Sequence, residues 1–161
     1  MRAVAYSIRS FEKEPLAKAN HKKHDITLIS NPIGLETVEY AAGKEAVIIS
    51  SNDHVSEAVI LRLADLGVKY ITVRAMETDK IDKFTAARVN IQISTVPVPS
   101  SMPVNGPEFL IHQYDIAVGT IRNLDFWQDA KNTALNNADF IPNTNISPNE
   151  TTKVTNTPKA G

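Results

Sequence analysis

The chain contains no cysteine, which removes disulfides, thiolate nucleophiles and cysteine metal sites together and suits a reducing compartment. Met1 to Ser10 has no apolar core long enough for a signal peptide, and no apolar run approaches the roughly 20 residues of a membrane span. A cytoplasmic protein without membrane contact is the expectation. An excess of either charge is missing too. Lys plus Arg number 17 against 18 Asp plus Glu, a net charge of -1, which gives nucleic acid no electrostatic footprint and a membrane no polybasic patch. Glycine is scarce, with Gly34, Gly43, Gly67, Gly106, Gly119 and Gly161 the whole set, and no members have the Gly-x-Gly-x-x-Gly spacing that cradles a dinucleotide. At 161 residues there is room for one domain, which buries about two thirds of its unfolded surface in a single core.

What is present is alternation. Short apolar runs at Arg2 to Ser7, Asp25 to Ser30, Ala46 to Ser50, Lys69 to Arg74 and Asn90 to Thr95 read as strands. Between them Phe11 to Lys23, Leu35 to Ala42, Val55 to Leu66 and Asp79 to Val89 read as helices. The third helix carries Val55, Val59, Leu63 and Leu66 on one stripe, with Asn52 and Asp53 as capping residues before it and Gly67 as its stop. Strands alternating with helices predict an α/β fold, a flavodoxin-like parallel five-stranded sheet with helices on both faces, over residues 1–107.

After Thr95 the pattern changes. Pro97, Pro99, Pro103 and Pro107 predict an extended surface loop. From Glu108 to about Ala138 no proline occurs, and Phe109, Ile111, Ile116, Val118, Ile121, Leu124, Trp127 and Leu135 spread around much of a long C-terminal helix, 108–140. That breadth predicts burial on more than one side, through a homo-oligomer or a partner protein docked on 108–138. Residues 141–161, rich in Asn, Thr and Pro, read as a flexible tail.

Arg74-Ala75-Met76-Glu77-Thr78-Asp79-Lys80-Ile81-Asp82 resembles the pattern Arg-x-x-Gly-Thr-Asp-x-(Ile/Val)-Asp of the D-2-hydroxyacid dehydrogenases, the D-lactate dehydrogenase group above all. Val96-Pro97 falls where that family has an Asn-Val-Pro turn. Leu35-Glu36-Thr37 through Gly43, Ala46-Val47, Glu108-Phe109 and Arg122-Asn123 extend the similarity over Met1 to Asn123. The resemblance implies a substrate carboxylate held by backbone N–H groups of the loop after the fourth strand, here Ala75, Met76 and Glu77. Ser50, Ser51, Arg74 and Pro97 complete the candidate ligand contacts. Glu77 departs from the family, which has glycine there. It adds a Cβ and a negative charge, and two like charges about 4 Å apart at an effective dielectric of 20 repel by roughly 4 kcal/mol. The family's catalytic arginine, glutamate and histidine, and its NAD site, belong to a half these residues do not match. The expectation is a pseudoenzyme with no cofactor of its own, NAD entering only if a partner chain supplies the nucleotide domain. Pro142-Asn143-Thr144-Asn145-Ile146-Ser147-Pro148-Asn149 is similar to the family's late segment Pro-Asn-x-x-(Ile/Leu)-(Thr/Ser)-Pro-His, which would put Asn149 in the place of its catalytic histidine.

Other candidates carry less. His21 and His24 have helical spacing for a metal but no third ligand nearby, and read as a solvated basic face. His112 reads as a packing or interface residue. His54 leaves the end of a strand, where open α/β sheets bind ligands, although Asn52 or Asp53 capping the next helix accounts for that loop. Ser100 and Ser101 lack a nucleophile elbow, and the acceptor triplets at Asn145 and Asn149 mean little without an export signal. A phospho-acceptor receiver domain would need acidic residues where Ser7 and Ser50 stand.

Overall fold

The computed structural model describes residues 1–99 and 101–139. Five strands, β1 (Arg2–Ala5), β2 (Asp25–Leu28), β3 (Ala46–Ile49), β4 (Tyr70–Val73) and β5 (Gln92–Thr95), form one sheet in the order β2-β1-β3-β4-β5, every neighbouring pair parallel. This is the flavodoxin-like arrangement expected from the alternation. The central β3 is buried at every position, which is why it reads as an unbroken apolar run.

Side chains alternate between the two faces of the sheet and build two cores. On one face Val4, Tyr6, Val47, Ile49, Ile71 and Val73 pack against α2 (Glu57–Asp65) and α3 (Lys83–Arg88). The other presents Ala3, Ala5, Ala46 and Ile48 to α1 (Ser10–Asn20) and α4 (Gly106–Asp139). Small side chains there let a long helix lie close. Trp127 of α4 stacks on Tyr70 with ring centroids 4.7 Å apart, and Asn123 donates to the Thr72 hydroxyl at 2.9 Å. Lys131 pairs with Glu45, and Asp125 accepts from Lys23 at 3.0 Å.

Several boundaries move from their expected places. The segment expected as a helix over Leu35 to Ala42 forms only one 3-10 turn, Val38–Ala41. Asp79 to Val89 is helical only from Lys83, because the Asp82 carboxylate caps the Thr85 N–H at 2.9 Å, while Ile81 is held beside Val55 in an isolated parallel bridge. The cap of α2 is neither Asn52 nor Asp53 but Ser56, whose hydroxyl accepts from the Val59 N–H. Gly67 stops that helix as expected, at φ +91 where a side chain would be strained.

The long helix begins and ends within two residues of expectation, and within the single chain one face of it is covered. Gln113, Ile116, Ala117, Thr120, Ile121, Leu124 and Trp127 are covered, whereas Leu110, Ile111, Tyr114, Phe126 and Leu135 are exposed. Every residue from Lys131 to Ala138 is exposed. No described helix is long and apolar enough to cross a membrane. Residues 141–161, expected as a tail and containing the Pro142 to Asn149 segment, lie outside the described residues.

Candidate functional site

In a 2-1-3-4-5 sheet the chain leaves β1 and β3 toward opposite sides, and a crevice opens beyond their carboxyl ends. Here its volume is about 640 Å³. Four loops line it, those following β1, β3, β4 and β5, together with α4. Ser50, Ser51, Arg74, Ala75, Met76 and Glu77, singled out from the sequence, all reach it; Pro97 does not, being turned to solvent while Val98 and Pro99 form that part of the wall.

Asp53 organises the β3 loop. Its side chain is buried and accepts from the Ser7 hydroxyl at 2.7 Å, the Ser50 N–H at 2.8 Å and the Ile33 N–H at 3.3 Å. It therefore ties the loops after β1 and β3 together, a larger role than the helix cap expected of it. His54 beside it is exposed and outside the crevice.

Arg74 is buried to 5% side-chain exposure and paired with Glu12 of α1. It also donates to the Tyr6 carbonyl at 2.8 Å, and Glu12 in turn accepts from the Arg9 N–H at 2.7 Å. The arginine is thus neutralised, and much of its hydrogen bonding is used within the chain. Its Nε is the exception, being buried with no acceptor. Beyond it the N–H groups of Ala75, Met76 and Glu77 donate to no acceptor among the described residues, although the Ala75 carbonyl accepts from Val96. Consecutive amides without a protein acceptor, in a loop that lines the crevice, leave donors for a ligand.

Two charged side chains on the walls have no ion-pair partner among the described residues, Arg9 and Glu77. Phe11, Met102 and Ile116 supply an apolar side. Sequence reasoning missed Ser7, Arg9, Phe11 and Glu12. Their signal was position, at the carboxyl end of the strand beside the switch point, and Ser7 is held there at φ +53, which a non-glycine residue seldom adopts.

The histidines separate. His21 is exposed, but His24 corrects the expectation of a solvated face: it is buried, with Nε2 2.9 Å from Asp125 of α4, because the long helix crosses over it. His112 is half-buried on α4, its Nδ1 lacking a partner. Ser101 is exposed, and Ser100 lies outside the described residues. No two of the glycines have the Gly-x-Gly-x-x-Gly spacing by which a backbone cradles pyrophosphate.

A doubly wound α/β domain with a donor-rich crevice at its switch point is the class that fold and site define. Comparison with known proteins narrows it. Residues 3–104 match the catalytic domain of the D-isomer specific 2-hydroxyacid dehydrogenases, and the chain belongs to that family. It is 30% identical over 112 residues to a 2-hydroxyacid dehydrogenase homolog of Zymomonas mobilis, covering 69% of this chain and 33% of that protein. A D-specific alpha-keto acid dehydrogenase of Enterococcus faecalis is 40% identical over 70 residues, covering 44% of this chain and 22% of the relative. Among solved structures, the pyruvate reductase of Chlamydomonas reinhardtii superposes with a TM-score of 0.59 at 29% identity, covering 62% of this chain and 30% of that one. The chain spans about a third of the length of curated relatives that it matches.

Proposed function

We propose that this domain holds the carboxylate of a small organic acid at the carboxyl ends of β1, β3 and β4, and performs no hydride transfer unaided. The observation that carries the reading is the run of unbonded amides at Ala75, Met76 and Glu77 next to the buried, unsatisfied Nε of Arg74. Amides on a crevice wall that have no acceptor within the chain favour a ligand that supplies one. Family membership supports 2-hydroxy and 2-oxo acids as first ligands to try. Its cysteine-free composition suits the cytoplasm. Thermal unfolding of the full chain with 10 mM of each acid is the test. A ligand with a dissociation constant of about 1 mM adds roughly 1.4 kcal/mol, or about 4 °C in Tm for a chain of this size. No shift with any acid at that concentration removes the ligand-holding claim.

A second reading rests on α4. Its last described turns, Lys131 to Ala138, are exposed, and Leu110, Ile111, Tyr114 and Phe126 are exposed apolar side chains upstream. That surface suits a second subunit, either another copy or a chain carrying a nucleotide-binding domain that would complete an NAD-dependent oxidoreductase. Sedimentation equilibrium separates these from a monomer, and a monomer throughout the concentration range, with no nucleotide-binding protein co-purifying from the native host, ends both.

A further inference from the structure

Among the described residues the crevice holds one unmatched charge of each sign, and we propose that its ligand is a zwitterion, a small apolar α-amino acid whose carboxylate lies on the amides of Ala75 to Glu77 and whose ammonium faces Glu77. This deepens the carboxylate-holding reading and rests on it. Because Glu12 already neutralises the Arg74 guanidinium, the unmatched charge within the loop of free amides is the Glu77 carboxylate, which lines the crevice and has no cation of its own among the described residues. A simple monoanion seated on these amides meets like charge and leaves Glu77 unmatched. An α-amino acid brings the same carboxylate with an ammonium one carbon away, so its contact with Glu77 becomes attractive and the ligand enters with no net charge. Arg9 on the wall then supports the carboxylate end.

The remaining wall selects the side chain. Phe11 is held in place by an edge contact to Phe109, with ring centroids 5.2 Å apart at 65°, and Met102 and Ile116 line the crevice with it. An apolar chain of a few carbons fits such a wall, whereas a charged one would lose its hydration there.

The test is calorimetric titration of the full chain with two ligands of the same carbon skeleton, leucine and 2-hydroxy-4-methylpentanoate, both enantiomers of each. An exposed charge contact changes affinity by up to about fivefold, so wild type is expected to bind leucine about fivefold more tightly than the hydroxy acid. Glu77→Gln removes that preference, and Glu77→Gly reverses it. Glu77 is exposed, so both variants fold, which the fluorescence of buried Trp127 verifies. Tighter binding of the hydroxy acid by wild type, or a leucine preference unchanged in Glu77→Gln, overturns the zwitterion while the carboxylate reading stands. Binding of the hydroxy acid by Glu77→Gly alone has the same meaning. No heat with either ligand in wild type and Glu77→Gly overturns both.

Discussion

At the scale of single residues, Arg74 and Glu12 do most to shape the crevice, and they lie 62 positions apart in the chain. Removing one partner of a buried pair leaves the other charge uncompensated, so Glu12→Gln is expected to cost about 3 kcal/mol, read as a lower urea midpoint at unchanged slope. The same variant frees Arg74 and strengthens binding of a monoanion. Tyr6 offers a simpler case: its buried hydroxyl donates to the Thr37 carbonyl at 2.8 Å, and burial, with the acidic groups around it, pushes its ionisation far above the ordinary range. Tyr6→Phe should cost about 1 kcal/mol in the same assay, because the carbonyl loses a donor while the ring still packs. The Glu77 departure was legible in the sequence because it sits inside a recognisable run. The neutralisation of Arg74 was not, since it depends on α1 lying across the end of β4. Nor was the part played by Asp53, whose partners Ser7 and Ile33 become neighbours only when the sheet forms.

Among the elements α4 matters most, for with α1 it covers one face of the sheet and contributes Gln113 and Ile116 to the crevice. It approaches the loop after β5 so closely that a Cβ at Gly119 would lie 2.6 Å from a Val96 methyl. Gly119→Ala is therefore expected to destabilise by about 1–3 kcal/mol, and adding Val96→Ala should recover part of the loss in a double-mutant cycle. Purely additive losses would contradict the contact. The same helix is pinned by two carboxylates. Burial opposes the charge of Asp125 and of Glu45, yet hydrogen bonds from Lys23 and His24 to the first, and from Lys131 and the Arg2 N–H to the second, leave both below the usual carboxylate range. A native group that holds its proton less readily than the unfolded chain contributes stability above the unfolded pKa and loses it as pH falls through the folded one. The anchorage of α4 should accordingly hold from neutrality down to about pH 4 and weaken below it. Trp127, the only tryptophan, is buried against Tyr70 and reports the change as a red shift of emission. The length of α4 was readable because no proline interrupts it. The short helices were not, since Asp82 and Ser56 cap later than the polar residues ahead of them suggested.

For the whole molecule, the parallel sheet followed from alternating short apolar runs, and the crevice followed from where such sheets reverse direction. What the strand pattern left open was which loops meet there and with what charge. The central claim is that a ligand carboxylate lies on the amides of Ala75 to Glu77. Titration of the isotope-labelled full chain with leucine and with 2-hydroxy-4-methylpentanoate, followed by amide proton–nitrogen correlation spectra, addresses it most directly. The largest shifts are expected on Ala75, Met76 and Glu77, with the Arg74 Nε resonance moving alongside them. Shifts absent from that run at tens of millimolar ligand, or concentrated on α4 instead, would contradict it.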